Sequence, residues 1–305
     1  MNQNFIDELY KIVGELNIRF EESMAKHTTF QIGGPAQFFV TPNTTEEIGQ
    51  VLQLCKAQRV PVFVLGRGSN LLVSDAGMEG VVLQIYDNYS DYSINGKQIK
   101  AQAGVMLSKL GYAAKEESLT GFEFAAGIPG TLGGAIMMNA GAYGGEMKDI
   151  ITAVQLMDED GNLLEKSCEE MEFSYRHSIL TEQKLIVLGA TITLEKGDKK
   201  AIEARMKELA SARRTKQPLE FPSAGSTFKR PEGYFAGKLI MDAGLRGYQV
   251  GGAQISEKHC GFVINKGDAT AADVLQLVED VKTKVYEKFQ VDLEPEVKLV
   301  GRQES

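Results

Sequence analysis

Two stretches of this sequence offer backbone rather than side chains for chemistry. The first is Gly66-Arg67-Gly68-Ser69-Asn70, fed directly by the apolar run 61–65. Glycine permits positive φ and close approach to a ligand, and successive N–H groups in such a loop can form an anion-binding nest. Neither common phosphate loop is matched. The third glycine of a GxGxxG fingerprint is Leu71, and no Lys follows as in GxxxxGK[ST]. An ordinary tight turn would read the same way. The second stretch is 121–145 (GFEFAAGIPGTLGGAIMMNAGAYGG); its residues 124–145 carry seven glycines and no charge. Such backbone suits a flat ligand that needs close approach and N–H donors, with a glycine-rich packing turn as the plain alternative. Two such loops in one chain favour a dinucleotide with a ring system.

Side chains able to move protons or stabilise charge stand elsewhere. Tyr175-Arg176-His177-Ser178 offers a guanidinium, Ser223-Ala224-Gly225-Ser226 a hydroxyl, and Glu294-Pro295-Glu296 two carboxylates. Positions i and i+2 share a strand face, although Pro295 can disturb that. By spacing alone Arg176 could be a surface charge among 33 basic residues, Ser226 a turn cap, and the two acids a solvated strand edge. The three histidines (His27, His177, His259) and three cysteines (Cys55, Cys168, Cys260) are scattered and include no CxxC, so no metal site and no disulfide framework is expected.

The elements that must position these groups alternate between helix and strand. An amphipathic helix opens the chain, with Ile6, Leu9, Val13 and Leu16 at helical spacing. Strand 37–40 precedes a helix over 45–57, capped by Thr44 with Glu47 three residues on. Strands 61–65, 71–73, 80–85 and 98–103 follow, then a helix over 108–117 and the second glycine run. Strands 151–157, 163–167 and 186–194 lead to a helix over 200–213. The last third holds a short helix near 235–242, strand 261–265, a long helix over 271–289 and a closing strand 297–300. Val274, Leu277, Val278, Val281 and Val285 fall on one face of that long helix. Many short strands mixed with helices indicate the α+β class.

At roughly 150 residues per domain, 305 residues suggest two domains, with one or three open. A net charge of −8 lacks the basic footprint of a duplex nucleic-acid binder. No basic start followed by an apolar core is present, so no secretory signal is expected. Residues 124–145 match the length of a membrane span, about 20 residues, but their glycines, Pro129 and Asn139 rule out a lipid helix. Neither nucleic acid nor membrane is an expected partner.

Six motifs then occur together, in order: 27–36 (HTTFQIGGPA), 65–75 (LGRGSNLLVSD), 126–144 (AGIPGTLGGAIMMNAGAYG), 173–178 (FSYRHS), 223–231 (SAGSTFKRP) and 293–301 (LEPEVKLVG). In this order and spacing, over nearly the whole length, the chain resembles the UDP-N-acetylenolpyruvoylglucosamine reductases, also called UDP-N-acetylmuramate dehydrogenases. The resemblance implies an α+β protein with an FAD-binding fold of the vanillyl-alcohol oxidase (PCMH) type in two subdomains, 1–86 and 87–213. A C-terminal α+β substrate-binding domain is expected over 214–290, with the final strand, about 291–305, returning to the first subdomain. About 45 residues, filled by strand and helix, separate Ser178 from Ser223. The chain therefore resembles the short-loop subtype, without the tyrosine lid of the long-loop one.

The chemistry implied is the reduction of UDP-N-acetylglucosamine enolpyruvate to UDP-N-acetylmuramate, a peptidoglycan precursor, by a cytoplasmic enzyme expected to be a monomer. NADPH is the implied hydride donor and FAD the noncovalent cofactor; no His or Cys lies inside either glycine run. No separate NADPH fingerprint exists, which fits NADPH and substrate using one site in turn. Implied FAD contacts are Gly66, Arg67, Gly68, Ser69, Asn70 and Leu71 in the first run. In the second they are Gly127, Ile128, Pro129, Gly130, Gly133, Gly134, Ala135, Asn139 and Gly141. Hydride addition to an enol ether bearing a carboxylate pushes charge into that carboxylate, where a guanidinium is the suited stabiliser; the motif selects Arg176. Ser226 matches the proton donor. Serine is a weak acid, so it needs a strongly basic acceptor and a nearby cation or relay. Glu296 matches an acid that hydrogen-bonds the intermediate, and a substrate carboxylate beside it would favour its protonated form. Tyr175, Lys216, Lys229 and Arg230 are the implied substrate contacts, Arg230 standing where other members carry an amide. Two rivals remain: another flavoenzyme of the same fold, and a colourless nucleotide-sugar binding module.

Overall fold

The structure, a computed structural model, describes residues 3–302. The chain forms two compact units. One takes the residues up to Phe20 with Phe38–Arg67 and Gly80–Ser211; the other takes Glu21–Gln37, Gly68–Glu79 and the residues from Ala212 on. Of the segment 1–86 that the resemblance implies as a first subdomain, Glu21–Gln37 and Gly68–Glu79 group with the C-terminal residues, where Leu71–Val73 pairs with Lys298–Val300.

The first unit contains the body of a four-stranded sheet, ordered Ile18–Ser23, Pro35–Val40, Met78–Gln84, Val62–Leu65. Its last two strands run parallel, with Val62 opposite Val81 and Leu65 opposite Gln84. Helix Thr45–Gln58 buries Ile48, Val51, Leu52 and Cys55 in one core with Phe38, Val40, Val81 and Leu83. The Thr44 hydroxyl accepts from Glu47 N at 3.1 Å, as the capping pattern predicts, but the Glu47 carboxylate reaches back to Asn43 N at 2.7 Å. The opening helix spans Gln3–Val13 and stops at Gly14, φ +78. Leu16, expected on its apolar face, is 95% exposed for that reason.

A five-stranded antiparallel sheet follows, ordered Leu163–Ser167, Ile151–Met157, Ile186–Thr193, Gln98–Gln102, Tyr92–Asn95. Ile99, Val154, Ala190 and Ile192 share one buried core with Leu107 and Leu110 of helix Leu107–Glu116 and Ile136 of helix Leu132–Met137. The second of these helices lies inside the glycine-rich run, where the sequence alone suggested only irregular backbone.

The second unit is built on helix Ala271–Phe289, whose expected face is buried. It packs with helix Ala236–Asp242 and a three-stranded sheet, Gln249–Val250, Ala253–Ile255 and Val263–Asn265. Strand Lys298–Val300 pairs in parallel with Leu71–Val73. Asp75, two residues on, accepts from the N–H groups of Ala271 at 2.9 Å and Ala272 at 3.0 Å. A carboxylate there satisfies orphan donors and complements the helix dipole. Among the described residues no helix is long and apolar enough to cross a membrane, and no group of three or more metal-ligating side chains occurs.

Candidate active site

The two glycine runs meet in the first unit. A Cβ on Gly66 would lie 2.4 Å from Thr131 Oγ1, so only glycine fits there. Thr131, 2% exposed, caps helix Leu132–Met137 by accepting from Gly134 N at 3.4 Å. Gly133 packs on Ala103, its would-be Cβ 3.0 Å from that methyl. A Cβ on Gly134 would meet only Thr131 Oγ1, at 3.5 Å, and the residue is otherwise open. Gly68 in the second unit has φ +66, and a Cβ there would come within 2.2 Å of His27 O.

Gly68 and Gly130 are buried, yet the backbone N–H of neither has a protein acceptor among the described residues. Buried amides are nearly always paired. Each such donor, taken in its own unit, fits an anionic, close-lying group, and the phosphates of the FAD expected from the sequence are groups of that kind; within the first unit Gly134 leaves room for close approach. The other expected contacts divide. Arg67 donates to the Tyr86 hydroxyl at 3.0 Å with its guanidinium over that ring. Ser69 is half-buried, while Gly127 and Pro129 are exposed. Ile128 donates its N–H to Ala125 O, and Ala135 is buried in the core. Leu71 is the first residue of its strand. Gly141 lies opposite Glu146 in a two-strand pair.

Arg176 sits at a turn tip in the first unit. Ser174 and His177 exchange N–H···O bonds at 3.2 Å, leaving Tyr175 and Arg176 as the two central residues. Arg176 takes φ +56, which costs a non-glycine residue on the order of 1–3 kcal/mol. Its guanidinium carbon lies 5.1 Å from the Tyr175 ring centroid. Ser178, 0% exposed, donates to Met137 O at 2.8 Å, tying the turn to the glycine run. Asn139 ties it again, and its side chain is committed within the protein: Nδ2 donates to Ser174 O at 3.0 Å and Glu146 Oε2 at 2.9 Å, while Oδ1 accepts from Lys148 N at 2.9 Å. The carboxyl of Glu146 is held below the usual carboxylate range, first by the Lys148 ammonium bonded to it, then by the Asn139 amide and the charge of Arg176.

In the second unit the Ser226 loop and the Glu296 segment run side by side. Phe228 lies opposite Pro295, Lys229 N donates to Glu294 O at 2.8 Å, and Glu296 N donates to Thr227 O at 2.8 Å. Ser226 is exposed after Gly225, φ +79. Thr227 is buried, its hydroxyl accepting from Val263 N at 3.0 Å. The two acids that spacing left equivalent now differ: Glu294 has a side chain 70% exposed and ion-paired with Lys229, whereas Glu296 is half-buried. Asn70 of the first glycine run donates to Glu296 O at 3.1 Å and accepts from Lys298 N at 3.0 Å. Arg230 stacks 4.0 Å over the exposed Phe235 ring, and Lys216 is exposed at the end of helix Lys199–Lys216.

Thr29, Thr131 and Glu146 take part in the site without any role implied by the sequence motifs. Thr29 N donates to Gly68 O at 3.2 Å, its hydroxyl to Ser223 O at 2.7 Å, and Ser223 N to its carbonyl at 3.1 Å. Thr29 therefore carries the glycine loop to the Ser226 loop. Thr131 is a residue type favoured at helix N-caps, but with glycine three positions on it lacks the capping-box pattern, and the Thr29 bridge has no local signal.

Residues 36–167 match an FAD binding domain family, and residues 217–300 match the C-terminal domain of UDP-N-acetylenolpyruvoylglucosamine reductase. Among curated relatives, the UDP-N-acetylenolpyruvoylglucosamine reductase of Lachnoclostridium phytofermentans is 54% identical, covering 99% of this chain and 98% of its own. That of Clostridioides difficile is 52% identical over 98% and 99%. The crystal structure of the Thermus caldophilus reductase superposes with a TM-score of 0.80 at 38% identity, over 92% of this chain and 99% of that one. A grass pollen allergen with glucose dehydrogenase activity shares the fold only: TM-score 0.51, 17% identity, 64% of this chain and 44% of its own.

Proposed function

The chain belongs to the UDP-N-acetylenolpyruvoylglucosamine reductases, FAD oxidoreductases of α+β fold, and from that premise we propose that it reduces UDP-N-acetylglucosamine enolpyruvate to UDP-N-acetylmuramate with NADPH as hydride donor. FAD, when bound, would supply the two-electron redox chemistry that links NADPH to the enolpyruvyl substrate. Arg176 holds the substrate carboxylate, and its grip strengthens as charge builds there. Ser226 gives its proton to the carbon next to the one that receives hydride. Glu296 hydrogen-bonds the enolate-like intermediate as a neutral acid. Tyr175, Lys216, Lys229 and Arg230 contact the substrate, the last three drawing its anionic diphosphate. The reading places the reaction in the cytoplasm, carried out by a monomer.

The observation that carries this reading is the pairing of Glu296 N with Thr227 O, which sets the acid beside the Ser226 loop. Ser226→Ala tests it by stopped flow. Reduction of bound FAD by NADPH is expected to proceed normally, while reoxidation by the enolpyruvyl substrate falls about 10²–10⁴-fold. Equal slowing of both half-reactions, or of neither, refutes the assignment. A folded protein that purifies colourless and takes up no FAD refutes the whole reading.

A further inference from the structure

Two residues of the first unit, far apart in sequence, both sit in the left-handed region: Asn139 at φ +42 and Arg176 at φ +56. One carboxamide links them. Asn139 is 1% exposed, and both its amide hydrogens and its oxygen are used inside the protein. One hydrogen goes to Ser174 O, the residue that opens the Arg176 turn; the other goes to Glu146, whose carboxylate stands within the electrostatic reach of Arg176. The backbone of the turn is thus fixed from outside by a group with no freedom of its own. A flexible guanidinium loses positional entropy before it can grip a carboxylate bidentately, and a pre-set turn removes part of that cost.

We propose that Asn139 is a positioning residue for Arg176: its buried carboxamide sets the Tyr175–Arg176 turn so that the guanidinium meets the enolpyruvyl carboxylate in a fixed geometry. The inference rests on the role given to Arg176 above. It also assigns the Asn139 side chain to the substrate half of the reaction rather than to a direct FAD contact. Glu146 is the second anchor of the same amide.

Two variants of the full chain, loaded with FAD, test this. Asn139→Gly keeps the left-handed backbone accessible and deletes the carboxamide. Asn139→Asp keeps the shape and deletes both donors. Both are expected to retain FAD and normal reduction by NADPH, while reoxidation by the enolpyruvyl substrate falls about 10–100-fold. A binding readout separates positioning from general loosening. Titration of the oxidised protein should show weaker binding of the enolpyruvyl substrate, with binding of UDP-N-acetylglucosamine, which lacks that carboxylate, unchanged. Arg176→Lys added to Asn139→Gly should cost much less than Arg176→Lys alone, because the fork is already misplaced. The inference is overturned by wild-type reoxidation in both variants, by equal weakening of both ligands, by full multiplicativity with Arg176→Lys, or by loss of fold and FAD in both. If Arg176→Lys alone leaves reoxidation at the wild-type rate, the role of Arg176 itself fails, and this inference with it.

Discussion

Glu296 donates its backbone N–H to the carbonyl of Thr227 across 2.8 Å, which holds the acid one residue out of register with Ser226. Glu294, two positions earlier, turns to solvent and pairs with Lys229. Exposed pairs of that kind contribute about 0–1 kcal/mol, so Glu294→Gln should leave flavin reoxidation within about twofold of wild type. Glu296→Gln preserves a neutral donor of similar shape and should retain clearly more activity than Glu296→Ala, which is expected to lose about 10²-fold. Stopped-flow reoxidation traces decide it. Loss with Glu294→Gln and none with Glu296→Gln would move the acid by two residues.

Arg176→Lys keeps the charge at the turn tip but loses the planar fork. Reoxidation by the enolpyruvyl substrate should drop about 10²-fold, in the range seen for removal of a charge-stabilising donor. Thermal stability should hardly change, since both residues carry the same backbone cost at φ +56. Retained reoxidation in Arg176→Lys would show that any cation suffices there.

The glycines of the two runs are not interchangeable. Gly134→Ala has room within the protein, because its Cβ would meet only Thr131 Oγ1 at 3.5 Å. Helix propensity should even favour the protein without cofactor, by up to about 1 kcal/mol. FAD occupancy, read from the visible spectrum, should nonetheless fall. Gly66→Ala collides with Thr131 Oγ1 and should lose about 1–3 kcal/mol of stability.

Thr131→Ala alone removes a helix cap, at about 1 kcal/mol, and also removes the atom that Gly66→Ala strikes. The double variant should therefore be more stable than the sum of the two singles predicts. Chemical denaturation of all four proteins measures that coupling; strict additivity would mean that the two glycine runs do not lean on each other.

Asp273 predicts an acid-side loss of stability. Its carboxylate accepts from Thr270 N at 3.0 Å and Gly252 N at 3.1 Å, and these backbone donors hold its carboxyl below the usual range. A lowered folded pKa stabilises above the unfolded value, about 4, and the contribution disappears as pH falls through the folded value. Asp273→Asn should cost about 1 kcal/mol near pH 7 and progressively less below pH 4. A cost that stays constant down to pH 2 would rule the carboxylate out as its source.

The long helix face from Val274 to Val285, the Thr44 cap, the two glycine runs and the motif order that marks the family are legible in the residue order alone. These are local signals: helical period, side chain to the nearest N–H, missing Cβ atoms and spacing along one chain. Tertiary structure decided the rest. Spacing left Glu294 and Glu296 equivalent, and only pairing with residues 227–229 separates a solvated acid from a half-buried one. The opening helix stops at Gly14 and leaves Leu16 in water, although the apolar period continues through it. Residues 68–79 belong with the C-terminal unit because the strand Leu71–Val73 finds its partner in Lys298–Val300. The resemblance marks Asn139 as an FAD contact, and only the fold, by carrying Ser174 to its amide, shows its side chain committed within the protein. Backbone donors and acceptors are the same at every non-proline position, so which ones meet across long sequence separations is fixed only when the chain folds.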